Sequence, residues 1–476
     1  MNYSINVKKI SIILIIIYLV IGVGFYFVGG EQLQIGKSDA SLSYGKADST
    51  VGQILKDTKI EQDFSVSADM ISQISIRTAT YARVNSGNLF IKLIDKEDSS
   101  VLFSETVPLS ILKDNLDFNL DIKDKITGVS NKELALLITS DVDNVDNAVT
   151  LYSGTKSDDS TLYINDTMTN NTLVFSVQCV KTLWFGQYYW YIFSMILILL
   201  IAYLINIYVK QKKNYSSIGV KVLVTFKKYK FLMEQLVAKD FKTKYKRSVL
   251  GILWSFLNPL LTMIVQYIVF STIFKSDIPN FPVYLLSGIV VFNFFTESCG
   301  MGLMSIVGNA SLITKVYVPK YIYPVSRVFS SVINLLLSLI PLLIVMILTK
   351  TKINISITLV PFALVCTLIF CIGMAFILSS AMVFFRDTQF LWNIAVMLWM
   401  YATPLFYPEN IIPEKFSFIF KLNPLYHFIR FIRICILNGV SPEPIVYLYC
   451  IIFSVGTLLI GAIVFKKTQD KFVLNI

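Results

Sequence analysis

Histidine is almost missing from this chain: His427 is the one imidazole in 476 residues. A Ser-His-Asp triad or a His-ligated metal centre has next to nothing to be built from. Of six cysteines, Cys299, Cys366, Cys371 and Cys450 lie in apolar runs and Cys435 in a loop segment. Cys179 stands alone in the hydrophilic N-terminal part, so an internal disulfide is excluded there, and no C-x-x-C spacing offers a zinc site. No G-x-x-x-x-G-K-[ST] phosphate loop occurs, which removes ATP hydrolysis by this chain. Charge is scarce too. Only 15% of residues are charged against 55% hydrophobic, and the mean hydropathy of +0.64 takes the chain out of the soluble class.

What is present is a series of apolar runs that reach the ~20 residues needed to cross a bilayer. The net charge of +11 is unevenly spread: residues 30–183 carry 14 basic and 22 acidic side chains, so the excess lies elsewhere. It sits beside the apolar runs, as cytoplasmic loops require, and this argues against nucleic acid as a partner.

Residues 1–29 are a cytoplasmic tip and a signal-anchor helix. Lys8 and Lys9 precede an unbroken apolar segment from Ile10 to Val28, longer than a signal-peptide core and followed by no A-x-A-like site. Residues 30–183 read as an all-β, jelly-roll-like sandwich. Leu116 to Ile122 alternates strictly, and Leu89–Leu93, Glu133–Ile138, Val149–Leu151, Leu162–Ile164 and Leu173–Val177 are further short strands. Turn clusters at Asn85–Asn88 and Ser157–Ser160 separate them. Asp141, Asp143 and Asp146 form an acidic loop that lacks the spacing of a calcium loop. Tyr81, Phe90, Tyr152 and Tyr163 are core residues or, alternatively, a sugar platform.

Residues 184–209 form a second span, with Trp184, Tyr188, Tyr189 and Trp190 as an interfacial belt. From Lys210 to Arg247 there are twelve Lys/Arg against two acids, which puts residues 210–248 in the cytoplasm. Within this stretch Leu232, Leu236, Val237, Phe241 and Tyr245 recur at helical spacing, opposite Lys239, Asp240, Lys242, Lys244, Lys246 and Arg247. Such a basic amphipathic helix lies on the lipid surface. Residues 249–476 then hold six spans, of which the fifth runs from Phe390 to Tyr407. Before the last span, Asn423-Pro424 and Asn438-Gly439 bracket a helix with Leu425, Phe428, Ile429 and Ile432 on one face and Tyr426, Arg430 and Arg433 on another. This helix is expected to dip into the outer leaflet or pack across the top of the bundle. The expectation is eight spans with both termini in the cytoplasm and residues 30–183 outside it. Glu297 is the one acid well inside a span, a functional candidate by default.

Three motifs carry a resemblance. They are Ala238 to Gly251 followed by Trp254 and Asn258-Pro259-Leu260; Asn309 to Lys320 with Pro324 and Ser326; and Phe385-Arg386-Asp387 with Pro404 and Asn423-Pro424. In order and spacing the chain from about Glu234 onward resembles the membrane subunit of type-2 ABC exporters, in particular the permeases for O-antigen, capsule and teichoic acid. Val318 stands where that family more often has phenylalanine. The two-span extension with its β domain is not part of the usual permease. The resemblance implies a homodimer in a bacterial plasma membrane, two copies of a separate ATPase subunit that holds ATP and Mg, and a lipid-linked polysaccharide as substrate. It implies no cofactor on this chain. It makes Ser311 to Tyr321 the segment that receives the ATPase motion, with Leu312, Lys315, Tyr317, Pro319 and Lys320 in contact. It also makes two spans line the pore, where Tyr267, Phe270, Trp392, Trp399 and Tyr401 would offer sugars flat faces. Export of a small drug or lipid, or a membrane-anchored glycan-binding or assembly protein without transport, are the alternatives.

Overall fold

The computed structural model describes residues 7–38, 42–44, 47–155, 160–212, 218–246, 249–273, 278–411 and 414–476. The chain divides into two compact units, Gln34–Gln187 and the helical remainder.

In the first unit, alternating apolar residues build two antiparallel sheets around one core. One sheet is centred on strands Met70–Ala79, Phe175–Thr182 and Leu116–Thr127; the other runs Ser160–Ile164, Ile60–Ser65, Glu133–Ser140, Asn88–Asp95, Val101–Pro108. Ile71, Ile74 and Ile76 from the first meet Ile60, Leu134, Leu136 and Ile138 from the second. Phe64 and Phe175 join them edge-on, ring centroids 5.3 Å apart. The expected strand Leu173–Val177 is broken at Val174, whose backbone N–H turns to the Tyr152 carbonyl at 2.8 Å. The acidic loop is occupied by its own neighbours. Asp141 accepts from the Asn88 backbone N–H (2.6 Å) and amide (2.8 Å), and these bonds hold its carboxyl below the usual carboxylate range. Asp143 faces Lys56 at 3.8 Å, and no cluster of metal-ligating side chains occurs among the described residues. Of the four aromatics, Tyr81 is exposed while Phe90, Tyr152 and Tyr163 are half-buried. Ser157–Asp159 lie outside the described residues.

The helices are α1 (Val7–Gly29), the single turn α2 (Trp184–Gln187), α3 (Tyr189–Lys212), α4 (Ile218–Tyr245), α5 (Leu253–Ile268), α6 (Phe281–Leu303), α7 (Ala310–Lys315), α8 (Ile322–Leu348), α9 (Val360–Phe384), α10 (Thr388–Tyr401), α11 (Glu414–Lys421), α12 (Pro424–Arg433), α13 (Pro444–Thr468) and α14 (Phe472–Asn475). Among the described residues seven are long and apolar enough to cross a membrane: α1, α3, α5, α6, α8, α9 and α13. Their apolar side chains face outward as well as inward, as a lipid solvent permits.

Small residues let these helices approach. At the crossing of α9 and α13 a Cβ on Gly461 would stand 2.3 Å from the Gly373 carbonyl oxygen, so the backbones themselves touch. The α1–α3 pair closes in the same way at Gly22, where a Cβ would enter the Phe193 ring. Tyr18 and Tyr189 lock that pair by donating to the carbonyls of Phe193 (2.9 Å) and Gly22 (2.6 Å). Tyr189 is therefore buried, while Trp184, Tyr188 and Trp190 stay exposed. Pro259 inside α5 cannot donate to the Ser255 carbonyl, and the Ser338 hydroxyl of α8 bonds that oxygen instead, at 3.3 Å.

One expectation fails here and another is narrowed. The span Phe390–Tyr407 is helical only to Tyr401, and α10 with its fourteen residues extends about 21 Å against the ~30 Å of a bilayer core. Pro404 and Pro408 follow, and the residue before a proline is pushed out of the helical region. Of the two placements expected for the helix after Asn423, the structure shows the one that dips inward and not the one across the top. Eight of the ten residues of α12 are buried, and Phe428 meets Phe370 (5.7 Å), about 15 Å along α9 from its Val360 end. The α11–α12 pair is thus a re-entrant hairpin whose tip, Asn423, reaches the middle of the bundle.

Candidate functional site

Two polar assemblies organise the helical unit, one at the end that carries α7 and one that runs from the middle of the bundle toward the other end. The first ties α4 to the bundle. Asp240 accepts from Arg327 Nη1 (2.5 Å) and from the Ser330 hydroxyl (2.9 Å) on α8. One turn on, Lys244 pairs with Glu297 Oε1 of α6 at 2.7 Å. The Asn334 amide of α8 donates to the same carboxylate oxygen at 2.6 Å, and Tyr245 donates to Asn334 Oδ1 at 2.9 Å while also meeting the Ser255 hydroxyl. Glu297 is therefore a paired acid, and its partners stand on two other helices. Leu236 packs beside them against Tyr323 and Val325.

The expected surface helix is in this way only half right. Lys239, Lys242 and Lys246 point to solvent or lipid headgroups, whereas Asp240, Lys244 and Tyr245 turn to the protein. Arg247 lies outside the described residues. Sequence reasoning missed the receiving side. Arg327, Ser330, Asn334 and Ser338 recur every three or four residues on α8, a polar stripe inside an apolar run that periodicity alone displays.

At this same end the chain between α6 and α8 projects outward. Ser311, Leu312, Lys315 and Val316 are exposed, and Tyr317 is 96% exposed. Ile313 and Val318 anchor the segment against the cluster that holds Leu236. Pro319 is half-buried. Lys320 departs from expectation: its amine donates to the Gln469 carbonyl (2.6 Å) at the end of α13 and lies over the Phe472 ring. A cation on the last carbonyls of a helix is well placed electrostatically, and it is not free to meet another chain.

The second assembly holds the hairpin. The Asn423 side chain caps α12 by accepting from Leu425 N (3.0 Å), accepts from Trp399 Nε1 (2.7 Å), and donates to the Ala402 carbonyl (3.0 Å) and the Thr403 hydroxyl (2.8 Å). One amide thus satisfies the end of α10 and the start of α12 together. At the far end of α12, the buried Arg433 donates to the carbonyls of Pro404 (2.6 Å), Leu405 (3.0 Å) and Tyr284 (3.1 Å), and stacks 3.4 Å above the Tyr284 ring. Tyr426 and Arg430 meet Glu409 at 3.0 and 3.6 Å.

The aromatic candidates separate accordingly. Trp392 is buried and Trp399 half-buried, both packing edge-on to Phe295 inside the protomer, at 5.8 and 5.0 Å. Phe270 stacks on Phe406 at 5.4 Å. Tyr267 and Tyr401 are the two that face outward. On α10 the outward face is Leu391, Ile394, Leu398 and Tyr401.

Residues 232–437 match the model of the ABC-2 type transporter family. The chain is 32% identical over 245 residues to the O-antigen export system permease protein RfbA of Klebsiella pneumoniae, across 93% of that relative and 51% of this chain. This chain belongs to the ABC-2 type transporter family. A protein of the same description from Myxococcus xanthus is 31% identical over 253 residues, 96% of its length and 52% of this chain. The polysialic acid transport protein KpsM of Escherichia coli is 22% identical over 259 residues, 98% of its length and 52% of this chain. The ABC-2 match opens inside α4, just before Asp240, and closes at the turn that ends α12. Both polar assemblies therefore fall within the ABC-2 region. The first three helices and the β unit precede it.

Proposed function

We propose that this chain is the membrane subunit of an exporter that carries a lipid-linked cell-surface polysaccharide across the bacterial plasma membrane. The observation that carries this reading is the family membership together with relatives named for O-antigen export and polysialic acid transport, matched over nearly their whole length. Energy comes from a separate ATPase, and the projecting segment with Leu312, Lys315, Val316 and Tyr317 is its docking surface. Its exposure at the end where α4 is latched supports this, because a push there meets α4, α8 and α9 through one apolar cluster.

The cations support an orientation. Lys8, Lys9, Lys210, Lys212, Lys239, Lys242, Lys466 and Lys467 belong to helix ends and loops on the α7 side, which is cytoplasmic by the positive-inside rule. Both termini are then inside, and the β unit, joined to the opposite ends of α1 and α3, is an extracytoplasmic sandwich. Two copies meeting through α5 and α10 would enclose a path, and Tyr267 and Tyr401 are the rings left to face it. Of the eight expected spans, the short α10 and the re-entrant hairpin together do the work of one.

The test is surface polymer in cells carrying Lys315→Glu or Tyr317→Ala. Normal insertion with polymer reduced ten-fold or more is expected, and a normal amount of surface polymer in both variants overturns the docking assignment. Loss of the whole chain without any change in surface polysaccharide overturns the export reading.

A further inference from the structure

The helices that precede the ABC-2 region reach the re-entrant hairpin through one ring. Phe25, near the Gly29 end of α1, stands edge-on to Tyr447 of α13, centroids 5.1 Å apart. Tyr447 stands edge-on to Phe431 of α12 at 4.7 Å. Phe362 of α9 closes the group, 5.4 Å from Phe431 and 5.2 Å from Tyr447. The Tyr447 hydroxyl is tethered to the Ser441 hydroxyl at 2.9 Å, so its ring does not swing freely. Behind Phe25 lies Tyr189 of α3, at 6.0 Å, the same tyrosine that bonds the Gly22 carbonyl of α1. The ring is therefore set by both helices that lead into and out of the β unit.

The contact is selective. Along most of α1 the side chains face outward, among them Ile12, Ile16, Val20 and Ile21. Phe25 and Val28 are the described residues of α1 that pack on the main apolar cluster of the bundle. They do so where α12 ends and Arg433 grips the 404–405 turn. A ten-residue helix has little stability of its own and takes its position from what packs on it. Phe431 has no exposed surface, so the packing of Tyr447 and Phe362 decides where that end of α12 sits.

We propose that Phe25 is a positioning residue for α12, by which the two N-terminal helices brace the re-entrant hairpin. The consequence for transport rests on the exporter reading above; the brace does not. Hydrogen exchange of the full chain in nanodiscs of phosphatidylethanolamine and phosphatidylglycerol tests it. In Phe25→Ala the amides of residues 425–433 should exchange at least ten-fold faster, with those of residues 285–299 in α6 unchanged. Phe25→Tyr, which keeps the ring, should restore protection, and Phe25→Leu should fall between.

Unchanged exchange at 425–433 in Phe25→Ala overturns the proposal. So does an equal rise across α6, which would mean general loosening. In cells, Phe25→Ala should lower surface polymer several-fold while ATP hydrolysis by the assembled transporter continues. A parallel fall of hydrolysis and polymer would reduce Phe25 to a folding residue and also overturn the proposal. If even the parent chain exports no polysaccharide, the exporter reading fails and the exchange result stands by itself.

Discussion

Asn423 and Lys244 each fasten a helix to the same bundle, and they do it with different chemistry. At the hairpin, side chains bond mostly backbone: Asn423 and Arg433 between them engage five main-chain groups of α6, α12 and the turn after α10, besides the Trp399 and Thr403 side chains. At α4, side chains bond side chains: Lys244 to Glu297, Arg327 to Asp240, Tyr245 to Asn334. The first kind fixes a chain trace, because carbonyls do not move without their helices. The second kind holds two preformed helices by groups that can rotate away, and Lys244 is 47% exposed beside it. The difference separates a fixed element from a releasable one. The hairpin is built in, whereas α4 is latched.

This contrast is breakable by substitution, and the largest effect belongs to the hairpin. Arg433→Met should cost about 3–5 kcal/mol, since three buried carbonyls lose a charged donor. Thermal unfolding in detergent reads this, and Arg433→Lys should rescue little because one ammonium cannot reach all three oxygens. Asn423→Ala comes next, at about 2–3 kcal/mol for the lost cap and the unpaired groups left behind. It should also change the emission of Trp399, whose indole N–H loses its acceptor. An unshifted Trp399 signal would mean that the staple contributes nothing.

Glu297→Gln sharpens the contrast from the other side. Its loss should cost only about 1 kcal/mol, as half-exposed ion pairs do, and should free α4 without disturbing α12. The check is protease or hydrogen-exchange accessibility of residues 236–245, and the latch is wrong if accessibility of α4 stays at the parent level. Smallest is the pair of lysines in the projecting segment. Lys315→Glu should leave stability within about 0.5 kcal/mol, while Lys320→Glu should lose about 1 kcal/mol by giving up the α13 end. Equal stability of the two variants would contradict the inward position of Lys320.

The β unit was readable because its solvent is water. Buried positions alternate along Asn88–Asp95, while Glu133–Ser140 is a short apolar run between polar ends, and both are found within a residue or two of their expected bounds. Met70–Ala79 was missed, since Met70-Ile71 and the polar Ser72 and Gln73 break the alternation around a bulge. In the helical unit, apolar residues mark both lipid and core, and the contrast that located the strands is gone. The hydropathy of Leu405, Phe406 and Tyr407 carried the expected span past the true end of α10, although Pro404 and Pro408 were the physical signal.

The same ambiguity left the placement of α12 open. A helix lying in an interface and a helix whose polar face bonds buried carbonyls share one amphipathic pattern. The partners of Arg433 and Lys320 are main-chain oxygens, and no residue type announces them. Asn423-Pro424 was legible as a helix start, but its grip on Trp399 and Thr403 depends on a turn that periodicity does not describe.

The ring cluster around Phe25 also has an order in time. Its cradle is made of Phe362, Phe431 and Tyr447, which leave the ribosome more than three hundred residues after Phe25 does. The α1–α3 pair has its own contacts through Tyr18, Tyr189 and Gly22, all made long before, and it holds Phe25 against Tyr189 with the seat on Tyr447 still to come. Phe25 finds its seat only once α13 has been threaded beside α9. A newly made chain therefore carries on α1 a register of whether α13 has arrived.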